Sequence, residues 1–173
     1  MATQLQLVKK VENRNAVSTL EVADVFTTAY DVYMVSISKF EHAGNPDYMT
    51  IRMRNSSGLD TGSNYMHAGL QMPSHQTFYE ARSTGTTHIQ NLNYTGTTFT
   101  NGAGHIIYFY NPADSSSYTF FKNESSSYST PQNNANYAFK NIAVHKVAEA
   151  INGFGLLRTG SFTNVDISVY GVK

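Results

Sequence analysis

Apolar and polar residues alternate along most of this chain with a period of two. Between residues 48 and 54, Met49, Ile51 and Met53 fall on one side and the intervening polar residues fall on the other. Residues 5–11, 33–38, 137–146 and 165–170 repeat this alternation, and residues 105–110 are apolar on both sides. Because successive side chains of a strand point to opposite faces, the pattern predicts half-buried β-strands with a central strand at 105–110.

The predicted strands are separated by polar connections, many of them containing glycine, at residues 55–64, 83–87, 101–104 and 123–136. About eight strands spaced in this way indicate an all-β fold, an antiparallel β-sandwich. No proline-rich or charged linker divides the chain, so we expect one sandwich domain over residues 1–173. Residues 143–151 also have apolar positions at helical spacing, and we expect a strand as far as Val144 followed by a short helical turn.

The strand faces define a predicted hydrophobic core. Its members are the apolar residues on the more apolar side of each alternating segment. They are Val35, Ile37, Met49, Ile51, Met53, Ile107, Phe109, Ile142, Val165, Ile167 and Val169.

Composition narrows the classes of function. The formal net charge is zero, charged residues make up 14% of the chain, and aromatic residues make up 13% with 12 Tyr and no Trp. This many aromatic residues argues against disorder, and the lack of excess Lys and Arg argues against nucleic-acid binding. No cysteine is present for a disulfide or thiolate metal site. We expect no signal peptide, because the first residues lack a basic stretch followed by an apolar run, and no membrane-spanning helix.

Motifs for catalysis or metal binding are weak. The six histidines lack metal-ligand spacing, so we predict no metal site, although side chains distant in sequence could still converge in space. The densest polar cluster, formed by His75, Glu80 and Arg82, favours hydrogen bonding on an exposed strand or loop. We therefore predict no enzyme, no catalytic residue and no cofactor. The carboxylates that a glycoside hydrolase would need have no supporting spacing; the candidates are Glu41, Asp47, Glu80 and Asp114.

Binding is more plausible than catalysis. The tyrosines could stack against sugars, form an adaptable protein interface, or simply occupy half-exposed strand positions. The long polar segment 123–136 is either a surface loop or a loop that orders against a partner. For an interface we select four residues in or beside this segment: Tyr128, Tyr137, Asn123 and Pro131.

Three landmarks in order along the chain resemble a family of small virion proteins from tailed bacteriophages, especially those of marine and cyanobacterial hosts. The first is the segment 28–33, which leads into an apolar strand. The second is the pair of alternating strands at 48–54 and 65–71, and the third is residues 158–172, which are similar to that family's closing hairpin. The sequence Asn-Pro-Ala at 111–113, after an apolar strand, is also similar to the family's pattern.

The resemblance implies a jelly-roll-like sandwich with a structural role on the phage particle and no catalytic motif. Such proteins decorate the capsid or belong to tail and fibre appendages, often as trimers. The expected function is therefore a capsid decoration (cement) protein that bridges and stabilises the head shell. Its expected partners are its own copies in a homotrimer and the major capsid protein or other virion proteins, with neither nucleic acid nor membrane. Its expected location is the virion, assembled in the host cytoplasm.

Two alternatives remain open. The chain could be a tail-fibre or receptor-binding module that recognises host cell-surface polysaccharide through tyrosine-rich loops. It could also be a polysaccharide-degrading enzyme on the same scaffold, which would need two carboxylates brought together by the fold.

Overall fold

A computed structural model describes residues 4–43, 47–90, 92–95, 103–129 and 134–173. All regular structure in these ranges is β. The thirteen strands are β1 (Leu5–Asn13), β2 (Val17–Val22), β3 (Val32–Ala43), β4 (Asp47–Tyr48), β5 (Thr50–Asn55), β6 (Gly58–Leu59), β7 (Tyr65–Pro73), β8 (Tyr79–Thr86), β9 (Tyr94–Thr95), β10 (Ala103–Tyr110), β11 (Thr119–Ser129), β12 (Ala135–His145) and β13 (Gly153–Val172). No helix suited by length and apolar character to cross a membrane is found in the described ranges.

Eleven strands form one antiparallel sheet that curls into a half-barrel. The main path runs β6-β5-β13-β3-β10-β11-β12-β7-β8, while β4 and β9 form a separate pair. The long strand β13 links β5 and β6, at one end of this path, to β3 and the strands that follow it. Its first half lies between β2 and β5, and its second half lies between β1 and β3. Each half of β13 is therefore paired on both of its edges.

The main core lies inside this curve. Phe109 on β10 packs against Phe154 on β13 with ring centroids 5.4 Å apart, and Phe26 lies 4.9 Å from Phe109. Phe40 on β3 meets Phe162 on β13 at 5.5 Å. Aromatic pairs at these separations add to the free energy gained from burial. Side chains of β3, β5, β10 and β13 thus belong to one continuous hydrophobic cluster.

The all-β class and the antiparallel pairing are confirmed, but the predicted number of strands is too low. The expected closing hairpin at 158–172 is wrong, because β13 continues through it with irregular pairing near Phe162 and Asn164. The expected helical turn after Val144 is also wrong: β12 ends at His145, and no helix follows before β13. At 158–172, β13 therefore has a local irregularity in its pairing where the sequence pattern suggested a turn.

Ten of the eleven predicted core residues are buried, and Ile142 is the exception. Ile142 is 61% exposed because it lies on the outer side of β12, whereas its neighbours Asn141 and Ala143 face inward. Strand β1 also differs from expectation. Leu5 and Leu7 are exposed, since β1 pairs with β13 but packs little of its own surface.

The predicted loop at 123–136 is mostly a β-hairpin. Strand β11 extends to Ser129 and β12 starts at Ala135, with Ser129 paired to Ala135. Asn134 has a φ of 46°, a left-handed conformation that asparagine tolerates well in turns. A long polar strand does not show apolar alternation, and this is why the hydrophobic pattern predicted a loop.

Candidate functional site

The outer side of the large sheet carries a row of apolar side chains across four strands. Tyr110 on β10 lies opposite Phe120 on β11, Phe120 lies opposite Val144 on β12, and Val144 lies opposite Met66 on β7. One step along the strands, Ile142 lies opposite Ala68. Directly opposed side chains on one face of a sheet touch each other. We call Met66, Ala68, Tyr110, Phe120, Ile142 and Val144 the apolar face.

The apolar face is open to solvent. Phe120 is 47% exposed and Ile142 61% exposed, and Tyr118 lies exposed just before β11. A groove of about 960 Å³ lies on this surface, with Arg82, Ser83, Thr84 and Lys122 at its polar margin. A contiguous exposed apolar patch with a polar rim is typical of a protein interaction site.

Charged residues on β11 and β12 border the apolar face. Glu124 on β11 forms ion pairs with Lys122, at 3.0 Å, and with Lys140 on β12, at 3.6 Å. The hydrogen bond from Lys122 lowers the pKa of Glu124 and keeps this carboxylate ionised. One end of the outer surface is thus apolar, and the adjoining part carries charged side chains.

The inner side of the same strands is held by a buried polar network. His105 Nε2 lies 2.7 Å from Asn93 Nδ2, and His105 Nδ1 lies 3.2 Å from Asn123 Oδ1. Asn123 Nδ2 donates to Leu92 O, and the hydroxyl of Ser125 donates to the same oxygen. These bonds hold the segment 92–95 against the sheet. The network satisfies buried polar groups that would otherwise destabilise the fold.

A polar pocket of about 440 Å³ lies elsewhere on the molecule, beside β4, β5 and β13. Asp47, Tyr48, Arg52, His88 and Arg158 line it. Burial lowers the pKa of Arg158 to about 10, and the nearby charge of Asp47 opposes this shift. Burial and the charge of Arg52 lower the pKa of His88. The pocket therefore offers guanidinium and hydroxyl groups to a small polar ligand.

Three potential metal ligands converge near the end of β12. His145 Nε2 lies 2.6 Å from Asp60 Oδ2 and 3.8 Å from Glu149 Oε1, and the ligand atoms of all three residues lie within 4.8 Å of one another. Asp60 follows β6, and Glu149 lies between β12 and β13. The prediction of no metal site rested on spacing, and this set spans 90 residues of sequence. Only the spacing of His145 and Glu149, four residues apart, was visible beforehand.

The chain matches no protein family, no curated protein and no solved structure to which it was compared. Function must therefore be inferred from the geometry of these surfaces and from the resemblance of short sequence segments.

The four residues predicted for an interface lie in different environments. Asn123 and Tyr137 are buried on the inner side of the sheet, so their side chains do not reach the surface of the chain. Tyr137 packs at 5.1 Å from Tyr94 and at 5.7 Å from His75. Tyr128 is half-buried on the outer side, and its hydroxyl hydrogen-bonds to Asn134. Pro131 lies outside the described residues. Whether this hairpin contacts a partner remains a prediction.

The polar residues considered for catalysis bond to different neighbours. Glu80 and Arg82 form a 4.0 Å ion pair on the exposed strand β8, as the sequence favoured. The four candidate carboxylates each have a separate partner. Glu41 accepts a hydrogen bond from Asn164, Asp47 accepts one from Thr159, and Asp114 accepts one from Ser116. Glu80 forms its ion pair with Arg82.

Proposed function

We propose that this chain is a structural protein of a tailed-phage virion, a decoration protein that bridges neighbouring subunits of the head shell. The apolar face carries this proposal. Phe120 and Ile142 expose large apolar side chains that gain free energy when a partner covers them, at about 25 cal/mol per Å². The neutral overall charge and the resemblance to virion proteins agree with a role in assembly.

The geometry also agrees with repeated, symmetric contacts. The antiparallel sheet ends in the exposed strand β8, which pairs with β7 on one side and with no strand of the described residues on the other. Unpaired edges and apolar faces are both used in homo-oligomers. We propose a homotrimeric, jelly-roll-like sandwich that contacts the major capsid protein or other virion proteins. The trimer is tested by light scattering of the purified chain, which should give three times 19.2 kDa.

The proposal is tested by adding the purified protein back to particles that lack it. A double variant, Phe120→Ser with Ile142→Ser, should bind at least tenfold more weakly, because it removes apolar contact area without opening the core. Leu7→Ser is the matched control, since Leu7 is 56% exposed on β1, far along the sheet from this face. Full binding by the double variant would refute the apolar face as the docking surface. Hundreds of copies per particle would support decoration of the head, and a few copies would point to the tail.

The polar pocket favours a second candidate function, recognition of host cell-surface polysaccharide. Its volume of about 440 Å³ lies within the usual range for small-ligand sites. Arg52 and Arg158 could hydrogen-bond sugar hydroxyl or carboxylate groups, and Tyr48 offers an aromatic ring. A glycan array with the purified chain and an Arg52→Gln variant tests this function. Binding that is absent from the array, or equal in the variant, would exclude this pocket as the glycan site.

A further inference from the structure

We propose that Asp60, His145 and Glu149 form a binding site for a first-row divalent metal ion of the Zn²⁺ or Mn²⁺ type. Asp60 is distant in sequence from His145 and Glu149, and the ligand atoms of the three residues lie within 4.8 Å of one another. An ion with about 2.0–2.2 Å bonds to nitrogen and oxygen requires donors about 3–3.5 Å apart. The observed separations of 2.6 and 3.8 Å bracket this range, so small side-chain movements suffice.

Both carboxylates are already held in place by neighbouring groups. Asn64 Nδ2 donates to Asp60 Oδ2 and the amide of Gly62 donates to Asp60 Oδ1, each at 2.8 Å. Asn55 Nδ2 donates to Glu149 Oε2 at 2.9 Å, which leaves Oε1 directed at His145. Hydrogen bonds of this kind orient ligands around metal ions and limit the entropy that binding costs.

The imidazole of His145 provides an independent indication. Its side chain is fully buried, its Nε2 points between the two carboxylates, and its Nδ1 has no hydrogen-bond partner in the part of the chain that the structure describes. In the tautomer with its proton on Nδ1, the Nε2 lone pair is directed between the two carboxylate oxygens, and an ion placed there would contact all three ligand atoms.

No lysine or arginine forms an ion pair with Asp60 or Glu149 within the described ranges. The nearest candidates in sequence are occupied elsewhere. Lys146 Nζ donates to Thr84 O, and Arg54 bonds to Glu21 and Asn152. Apart from the His145 imidazole, no side chain of the described residues thus acts as a counter-ion to these two carboxylates. A bound dication would supply it.

The ligand set selects the class of ion. One imidazole nitrogen and two carboxylates suit Zn²⁺ and Mn²⁺, whereas Mg²⁺ and Ca²⁺ favour oxygen ligands alone. The side chains of Asp60 and Glu149 are 15% and 28% exposed, so water can reach the ion and complete its coordination. Binding would join the segment after β6, the end of β12 and the connection to β13, and so stabilise this end of the sheet.

Isothermal titration calorimetry of the full chain with ZnCl₂, MnCl₂ and CaCl₂ tests the site. We expect one Zn²⁺ per chain, weaker Mn²⁺ binding, and the weakest binding for Ca²⁺. Glu149→Gln should reduce Zn²⁺ affinity at least tenfold, because the amide keeps its oxygen bond to Asn55 but is a poor metal ligand. Asp60→Asn should do the same. Asp114→Asn is the matched control, because Asp114 is exposed and bonds only locally to Ser116.

Two outcomes would overturn the proposal. One is the absence of stoichiometric Zn²⁺ binding at micromolar concentration, and the other is unchanged affinity in Glu149→Gln. Tighter binding of Ca²⁺ than of Zn²⁺ would refute the assigned class of ion. Mn²⁺-induced broadening of the NMR signals of Tyr65, whose ring lies 5.0 Å from that of His145, reads out the location directly. Broadening centred elsewhere would contradict the site even if the stoichiometry were one.

Discussion

Protonation of His105 should destabilise this fold in mild acid. The imidazole is buried on the inner side of β10, and burial lowers its pKa from 6.5 to about 4, while the hydrogen bond to Asn123 opposes the shift. The network suits a neutral ring, in which Nδ1–H donates to Asn123 Oδ1 and Nε2 accepts from Asn93 Nδ2. A second proton would place two donors, Nε2–H and the Asn93 amide, against each other.

The direction of the effect follows from proton linkage. The folded pKa lies below the unfolded pKa, so the unfolded chain binds the proton first as the pH falls. Stability is therefore highest above about pH 6.5 and declines toward pH 4. A difference of about 2.5 pH units corresponds to about 3 kcal/mol in total, of which about 2 kcal/mol is lost between pH 7 and 4.5. Such a loss is a large part of the 5–15 kcal/mol typical of a domain.

The assay is urea denaturation followed by circular dichroism at several pH values between 7 and 4.5. This window lies above the unfolded pKa of the aspartates whose folded pKa is lowered, Asp47, Asp60 and Asp114, so their contribution stays largely constant. The variant His105→Gln removes the titrating ring and should flatten the pH dependence. The burial of His67 and His88 lowers their pKa values too, and a smaller slope from them should persist. Equal slopes in the wild type and the variant would refute the assignment to His105.

Two further pairs of substitutions test the strand faces and the close packing of β13. Ile51→Asp should unfold the chain or lower the free energy of unfolding by more than about 4 kcal/mol, because it buries an unpaired carboxylate. Ile142→Asp on the outer side should change the free energy of unfolding by less than about 0.5 kcal/mol. Equal melting temperatures of the two variants would contradict the assigned strand faces. Gly153→Ala should cost about 1–3 kcal/mol, because its Cβ would collide with the carbonyl oxygen of Val22, while Gly85→Ala should have little effect in open space. Thermal denaturation of each pair measures the difference, and an unaffected Gly153 variant would show that β2 and β13 are less tightly packed.

Local alternation was enough to predict the all-β class and most of the core. Met49, Ile51 and Met53 are buried as predicted, because a half-buried strand imposes its period of two on the sequence whatever its neighbours are. The pattern was less informative where polar side chains faced inward. Asn123 and Ser125 point into the molecule, where the carbonyl oxygen of Leu92 accepts a hydrogen bond from each of them, and the sequence does not show that these two segments meet.

Which side of β12 faces outward, and which distant residues meet, was decided by tertiary structure alone. Ile142 has the same local alternation as a core residue, yet it is exposed, because the inward positions of β12 belong to Asn141 and Ala143. Asp60 and His145 are 85 residues apart and come into contact only because β7 and β12 pair. Alternation along a strand depends on nearest neighbours, whereas an apolar face or a ligand cluster depends on the register between strands, which long-range packing selects.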